Sequence, residues 1–327
     1  MKPIRGGLLS AVGAALLLLA ISPAISWAAY PGANGRIAYV GLPRATSCCF
    51  NVFTVLPSGA GVRQLTHDRG GEGDPSWSAD GQRLVYLDGA PGALDFQVFT
   101  MSADGSNQTR VVSDNGEDNF PHFSPGGGRI VYAKDNLPVA DSDTPRRVSI
   151  FTIRTDGTKR HRIVRHYADR PVWSPHGRRI AFDGSPNGAR RNGMWTVRRD
   201  GSHLRRLTLP DEGYWDETRD WSPGGGRILF RRCHGTGGRH IDCEDWVMWA
   251  DGSHEQRLGW GNRYIYSPAG DRFAYWAGET DDAIGGYLCT DIYTSPINGS
   301  DSEPVTHNCE TDYGDAYLPG WQPIPQP

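Results

Sequence analysis

Acidic residues and histidines recur a few positions ahead of a series of regularly spaced aromatic residues. The residues we consider for ligand binding are Glu72, Asp118, Asp169, Asp216, Asp315, His67, His166 and His307. Carboxylate oxygens suit Ca²⁺, and histidine beside aspartate suits a transition metal. Asp118, Asp169 and Asp216 lie four or five residues before three successive aromatics, so they are the first choice for a metal site, with calcium as its ion. The simpler alternative is that aspartate is abundant here because turns use it.

The aromatic residues belong to a repeat. They are Trp77, Phe123, Trp173, Trp221 and Tyr266, and they stand 45–50 residues apart. Each is followed by Ser-Pro or Ser-Ala, then a Gly and an alternating apolar run, as in PVWSPHGRRIAF at 171–182. Further along each copy, a second aromatic segment ends in Asp-Gly or Asn-Gly, as in IFTIRTDG at 150–157. Both turns are typical of β-hairpins, so each copy is predicted to hold four antiparallel strands.

Four strands at this period are typical of a β-propeller blade. The predicted blades are 67–115, 116–165, 166–209, 210–258 and 259–308. Residues 35–66 form a blade that lacks its first strand, and residues 318–323 supply one, with Trp321 at the aromatic position. The sequence therefore predicts an all-β, six-bladed propeller of four-stranded antiparallel blades. Its C-terminal strand would join the N-terminal blade and bring Trp321 beside Ile37.

The longest insertions fall between the second and third strands of a blade, at 134–147, 233–243 and 277–288. In a propeller these loops emerge where consecutive blades are connected, which we call the connection face. The Ser-Pro-x-Gly and Asp-Gly turns emerge on the opposite side, the turn face. Variable loops on a regular scaffold usually carry its function, so we expect a partner to bind the connection face.

The N-terminus is typical of a secretory signal peptide. Lys2 and Arg5 precede an apolar run, and Ser26-Trp27-Ala28 is a plausible cleavage site. We expect residues 1–28 to be this signal and residues 29–327 to form one domain. The mature protein would be secreted or periplasmic, with no membrane span after cleavage.

Six cysteines in an exported chain favour disulfides. Cys233 and Cys243 flank one insertion and are the best single pair. Cys289 and Cys309 would pair in the last full blade. The adjacent Cys48 and Cys49 would form a vicinal bridge, or one of them would reach Cys309. Metal binding by these cysteines is disfavoured because their spacing fits no zinc pattern.

Charge is unevenly distributed along the chain. Residues 146–206 hold 16 Arg or Lys against 4 Asp, whereas residues 210–320 hold 8 Arg against 20 acidic residues. The basic segment, with Arg190, Arg191, Arg198 and Arg199, is either a solvated edge or a surface for a polyanion or protein. Nucleic acid is not expected as a partner, because the chain carries an export signal and lacks base-stacking motifs.

The repeated Pro-x-Trp-Ser-Pro-x-Gly, Ile-Ala-Phe, Asp-Gly and Arg-x-Leu-Thr segments resemble the propeller of the TolB family over residues 35–323. TolB itself is periplasmic and has an α/β domain before its propeller, which we do not expect here. The resemblance implies a propeller that binds other proteins or ligands. Propeller-containing prolyl oligopeptidases are less similar, because this chain has no Gly-x-Ser-x-Gly motif.

These observations favour an exported, monomeric, non-catalytic scaffold that binds a protein or glycan partner. The alternative is a metal-dependent hydrolase or lyase acting on a polysaccharide, with the carboxylates at the mouth of the central channel as its metal ligands.

Overall fold

The structure is a computed structural model. It describes residues 30–42, 49–67, 71–90, 96–114, 116–135, 148–186, 192–235, 241–259, 263–281, 286–298, 300–307 and 316–325. Within these residues 24 strands form six four-stranded sheets, and every paired strand is antiparallel to its neighbour. The predicted fold class is confirmed.

Each sheet is one blade. In blades 1 to 5 the order of strands within the sheet follows the order along the chain. The closing blade contains β1 (Ala33–Gly41), β2 (Asn51–Val55) and β3 (Arg63–Gln64). Blade 1 is β4 (Gly71–Trp77), β5 (Arg83–Gly89), β6 (Gln97–Ser102) and β7 (Thr109–Arg110). Blade 2 is β8 (Glu117–Phe123), β9 (Arg129–Asp135), β10 (Ser149–Arg154) and β11 (His161–Val164). Blade 3 is β12 (Ala168–Trp173), β13 (Arg179–Gly184), β14 (Gly193–Arg198) and β15 (Arg205–Arg206). Blade 4 is β16 (Tyr214–Trp221), β17 (Arg227–Gly235), β18 (Ile241–Trp249) and β19 (Gln256–Gly259). Blade 5 is β20 (Ile265–Tyr266), β21 (Arg272–Asp281), β22 (Gly286–Pro296) and β23 (Glu303–Pro304).

The last strand, β24 (Ala316–Ile324), closes the ring. It pairs with β1 as the first strand of the closing blade, and Trp321 lies directly opposite Ile37. The first strands of all six blades contact one another in cyclic order, from β4 through β8, β12, β16 and β20 to β24 and back. Both the number of blades and their closure by the C-terminal strand agree with the sequence prediction.

The turns fix each hairpin by the same hydrogen bonds. In blade 1 the Gly81 N–H donates to the Ser78 carbonyl at 2.9 Å, and the Arg83 N–H donates to Ser78 Oγ at 2.9 Å. Gly81 has a φ of 66°, which favours glycine. The Ser-Pro-x-Gly turn therefore determines where the first strand ends and the second begins.

The core lies between neighbouring blades. The aromatic anchors, which are Trp77, Phe123, Trp173, Trp221, Tyr266 and Trp321, are all buried. Between blades 2 and 3, for example, Trp173 packs in one cluster with Val131 and Ile150 of one blade and Phe182 of the next. Their equivalent burial confirms that these aromatics are part of the scaffold.

The predicted Cys233–Cys243 disulfide is present, between residues that pair directly on β17 and β18. Cys289 is also disulfide-bonded. Cys48 and Cys309 lie outside the described residues, so the pairings proposed for Cys48, Cys49, Cys289 and Cys309 stay predictions. No helix in the described part of the chain is long and apolar enough to cross a membrane.

Candidate functional site

Two of the three aspartates proposed as metal ligands are held by a cation on the adjacent strand. Asp118 is fully buried, and its Oδ1 lies 3.0 Å from Lys134 Nζ. Asp216 is equally buried and accepts hydrogen bonds from Arg232 Nε at 2.7 Å and Nη2 at 3.0 Å. Each aspartate is the direct cross-strand neighbour of its cation. These ion pairs fasten the first strand of a blade to the second, a role that needs no metal.

Asp169 does not occupy the equivalent place in its blade. It lies four residues before its aromatic anchor, whereas Asp118 and Asp216 lie five residues before theirs. Side chains alternate sides along a strand, so this one-residue offset turns Asp169 toward different neighbours. Its Oδ2 lies 3.7 Å from Arg170 Nη1. Within the described residues no group of three or more His, Cys, Asp or Glu is placed to hold a metal ion. The structure does not bring the three proposed ligands together.

The other residues predicted to bind a ligand are dispersed. Glu72 is buried at the start of β4, and its backbone N–H donates to the Phe50 carbonyl at 3.1 Å. His67 and His307 are exposed, and His166 is half-buried. Asp315 lies outside the described residues. A ligand-binding role for these side chains stays a prediction.

The first strands carry a repeated bend that the sequence prediction missed. The residue three positions before the anchor has a left-handed conformation in five blades: Asp74 (φ 43°), Phe120 (φ 51°), Arg170 (φ 46°), Arg263 (φ 61°) and Leu318 (φ 56°). In β4, β8 and β12 the pairing register with the second strand shifts at this point, which is a β-bulge. All five residues line one central cavity. The bend therefore directs a side chain from each of these five blades toward the channel axis, at a backbone cost of about 1–3 kcal/mol each.

The central channel is formed by two adjoining cavities. The cavity nearer the connection face has a volume of about 90 Å³ and is lined by the five bent residues and by Arg219. The cavity nearer the turn face, also about 90 Å³, is lined by Tyr30 and five of the aromatic anchors. Ser76, His122 and Arg219 line both. The channel is thus continuous and changes from charged to aromatic along its length.

A group of ionisable residues surrounds the cavity nearer the connection face, and we call this group the channel-mouth cluster. It comprises Asp74, Asp169, Arg170, Asp183, Glu217, Arg219, Arg231, Asp245 and Arg263. Arg170 is its centre, with Nη1 3.2 Å from Asp183 Oδ2 and Nη2 3.4 Å from Glu217 Oε1. Arg219 Nη2 lies 2.5 Å from Glu217 Oε2. Four arginines and five carboxylates therefore share a small, largely dehydrated volume.

Burial controls the protonation of this cluster. Burial alone would raise the pKa of Glu217, but Arg219 and Arg170 outweigh it and lower the pKa to about 2. Burial lowers the pKa of Arg219 to about 10. Burial raises the pKa of Asp245 to about 7, even though Arg219 and Arg231 act to lower it. The charges of the cluster therefore balance only in part. Glu217 forms ion pairs with Arg170 and Arg219, whereas the Asp245 carboxylate has no hydrogen-bond partner within the described residues.

Asp245 is the most unusual member of the cluster. It is completely buried, and neither carboxylate oxygen has a hydrogen-bond partner within the described part of the chain. Asp245 lies six residues before the first residue of the Asp-Gly turn of its blade. The residues at the same distance from the corresponding turn in the other five blades are Val52, Val98, Ile150, Met194 and Ile292. All five of those residues are fully buried. Five blades thus have an apolar core residue where blade 4 has an unpaired carboxylate.

The opposite strand shows similar departures from the repeat. Asp183 pairs with Met194, and Arg231 pairs with Asp245. At the same position blades 1 and 2 have Leu87 and Ala133. Aligning the repeats would have shown that the charged substitutions concentrate in blades 3 and 4. That signal is present in the sequence, in the differences between repeats and not in the spacing of the carboxylates.

Tyr30 lies at the turn-face end of the channel. Its side chain is buried and its hydroxyl donates to the Phe123 carbonyl at 2.7 Å. Beside it, burial lowers the pKa of His122 to about 4, and His122 Nδ1 lies 3.1 Å from Ser76 Oγ. Burial also raises the pKa of Asp220 to about 7, although Asp220 accepts hydrogen bonds from two backbone N–H groups. The cavity nearer the turn face is therefore lined mainly by uncharged side chains, with Arg219 and Asp220 as its charged residues.

Comparison with known proteins gives few sequence relatives. No family model matches the chain. A curated but uncharacterized protein of Agrobacterium fabrum is 34% identical over 117 residues, which are 33% of this chain. The match spans 39% of that protein's length.

Solved structures match over most of the chain. TolB from Acinetobacter baumannii superposes with a TM-score of 0.68 at 16% identity, over 88% of this chain and 67% of that one. Oligogalacturonate lyase from Vibrio parahaemolyticus superposes with a TM-score of 0.58 at 11% identity, over 87% and 80% of the two chains. The chain has a TolB-like six-bladed propeller fold. At such identities the likeness concerns the fold alone, and TolB and a lyase share that fold.

Proposed function

We propose that this protein is an exported, non-catalytic propeller that binds a protein or glycan partner through its connection face, at the mouth of the central channel. The observation that carries the proposal is the channel-mouth cluster. Three of its charged residues, Asp183, Arg231 and Asp245, stand where other blades have apolar residues. Burying a charge without a full set of partners lowers stability, so a scaffold need alone does not account for it.

The geometry of the channel supports binding from this side. Asp169 and Arg170 retain 32% and 22% of their side-chain exposure, whereas Arg219 retains 6%. A partner at the mouth would therefore meet Asp169 and Arg170 first, with Arg219 deeper in the channel. Tyr30 lines the opposite end of the channel, nearer the turn face. Arginine in a desolvated, central position is a frequent energetic hot spot of protein interfaces.

Export is supported by the predicted signal peptide and by the Cys233–Cys243 disulfide, because disulfides persist in oxidising compartments. Residues 1–28 lie outside the described residues, and their role as a signal stays part of the proposal. The similarity of the fold to TolB, which the sequence resemblance associates with the periplasm, is consistent with the same location.

Replacing Arg170 tests the proposed surface. We expect Arg170→Met to weaken capture of the partner from a cell-envelope extract by roughly 30-fold, the effect of losing a 2 kcal/mol hot spot. Mature protein on beads would be compared with Arg63→Met, which removes an exposed arginine from the outer edge of the closing blade. Asp169→Asn, which leaves the buried charges intact, should also weaken capture. Equal capture by all four proteins would contradict the proposal.

The competing lyase function makes a different prediction for metal ions. A metal bound at 100 times its Kd would stabilise the protein by about 2.7 kcal/mol. We expect the melting temperature to be unchanged by Ca²⁺, Mn²⁺ or EDTA, because Lys134 and Arg232 already neutralise Asp118 and Asp216. A clear rise with either ion, reversed by EDTA, would favour the metal-dependent alternative.

A further inference from the structure

The turn face carries a groove that plays no part in the proposed function. It lies between blades 2 and 3 and has a volume of about 690 Å³, within the range of ligand pockets. The Ser124–Arg129 turn of blade 2 forms one side, and the turns around His176 and Arg199 of blade 3 form the other. Trp173, which is almost completely buried, lies at its base. We call this the turn-face groove.

The charge of this groove is strongly positive. Arg129, Arg154 and Arg199 line it together with His161 and His176, against a single carboxylate, Asp200. None of the three arginines forms an ion pair within 4 Å among the described residues, although Arg154 adds to the Thr158 hydrogen bonds that lower the pKa of the exposed Asp156. In a chain whose formal net charge is −3, such a concentration of unpaired cations is a local feature.

The one carboxylate in the groove is already engaged. Asp200 Oδ1 accepts hydrogen bonds from the Ser202 N–H at 2.9 Å and from Ser202 Oγ at 2.7 Å. These bonds hold the carboxylate within its own hairpin turn. Arg129 Nη1 donates to the Lys159 carbonyl at 3.5 Å, so Arg154 and Arg199 supply the guanidinium groups that remain available for a ligand.

The repeat provides an internal comparison for these residues. Arg129 belongs to the scaffold, because every blade has an arginine at the start of its second strand. Arg154 and Arg199 do not. Arg154 occupies the first, and Arg199 the second, of two consecutive positions just before the Asp-Gly turn of their blades. Other blades have uncharged pairs at these two positions, which are Ser102-Ala103 in blade 1, Trp249-Ala250 in blade 4, Pro296-Ile297 in blade 5 and Leu56-Pro57 in the closing blade. Only blades 2 and 3 place basic side chains there, and both sets border this groove or its rim.

We propose that the turn-face groove is a binding site for an anionic polysaccharide. Arginines spaced along an open groove match a polymer that repeats its negative charges, because each guanidinium can bind a sulfate or carboxylate through two N–H groups. The only tryptophan of the lining, Trp173, is buried, and the exposed lining contains no Phe, Tyr or Trp on which nucleobases would stack; its exposed rings are the imidazoles of His161 and His176. It also contains no exposed large apolar side chain that would enter a bilayer. A polysaccharide chain is the polyanion that needs neither.

Fluorescent dextran sulfate is the probe for this site, with uncharged dextran as the reference polymer. The groove variant is Arg154→Ser with Arg199→Ala, which restores the residues that blade 1 has at these positions. The matched control is Arg63→Ser with Arg165→Ala, which removes two exposed arginines away from the groove. Both double variants change the net charge equally, so a difference between them reports location and not total charge.

We expect dextran sulfate to bind the full-length mature protein at low salt and to be released as the salt concentration rises, since exposed charge pairs are screened. The groove variant should bind about tenfold more weakly, a loss of 1.4 kcal/mol, and the control variant should bind like wild type. Equal weakening of both variants, or equal binding of uncharged dextran, would overturn the proposal. Groove-dependent binding to anionic phospholipid vesicles without binding to dextran sulfate would also overturn it.

Discussion

Asp245→Val is expected to raise the free energy of unfolding by about 2–4 kcal/mol at pH 8. The substitution restores the apolar residue that the other five blades place at this position. It removes a fully buried carboxylate whose two oxygens lack hydrogen-bond partners within the described residues. Urea denaturation followed by tryptophan fluorescence measures the difference as a shift in the midpoint of the transition. The midpoint reports stability directly because we expect the slope of the transition to be the same in both proteins.

The gain should depend on pH in a defined direction. Burial raises the pKa of Asp245 to about 7, above its value in an unfolded chain. As pH rises from about 4 to 7, the unfolded state loses this proton before the folded state does, so the wild-type protein loses stability. Asp245→Val lacks this term, and its advantage should grow from near zero at pH 4 to its full size above pH 7. His122, whose pKa is lowered, acts in the opposite direction and is common to both proteins.

The same variant separates stability from function. If the channel-mouth cluster exists for binding, Asp245→Val should be more stable and yet capture less partner, the usual exchange at a site that keeps unsatisfied polar groups. Val247→Ala, on the same strand but outside the cluster, is the control for a change in β18. A destabilised Asp245→Val protein would show that Arg219 and Arg231 depend on the carboxylate for their own burial, and a functional cost would no longer need to be invoked.

The architecture was predictable because its signals are local and repeated. Each Ser-Pro-x-Gly turn fixes a strand boundary through the same pair of hydrogen bonds, as Ser78 does with Gly81 and Arg83. Five copies of a local rule determine five blades. The incomplete repeats at the two ends then require that β24 pair with β1.

The candidate site was less predictable because it depends on the direction of side chains. A single-residue offset separates Asp169 from the buried positions of Asp118 and Asp216, and the bulge at Arg170 reorients the chain once more. Because side chains alternate along a strand, spacing to the aromatic anchor does not by itself determine which way each aspartate points. Which cation would neutralise Asp118 or Asp216 also depended on strand register, which brings Lys134 and Arg232 opposite them.

Trp321→Ala is expected to destabilise the protein by about 3–5 kcal/mol, the cost of removing a large buried aromatic side chain. Trp321 is 7% exposed and packs with Ile37, Val55 and Ile292. Its Nε1 donates to the Gly35 carbonyl at 3.2 Å, so the same side chain joins the two ends of the chain. Thermal unfolding measured by circular dichroism would record the loss as a lower melting temperature.

The control for this variant is Trp249→Ala. Trp249 is 48% exposed and stacks on His254 with ring centroids 4.1 Å apart, so its removal should change stability by less than about 1 kcal/mol.

The contacts of β24 extend beyond Trp321, because Gln322 Nε2 donates to the Gly81 carbonyl and Trp77 Nε1 donates to the Gly320 carbonyl. The strand therefore holds blade 1 to the closing blade as well as β1 to its own sheet. Truncation after residue 315 would expose the edge of β1 and the inner face of blade 1 together, and we expect this shortened chain to aggregate on expression. A truncated chain that stayed monomeric with an unchanged melting temperature would show that the ring is held by the remaining contacts between blades and not by its C-terminal strand.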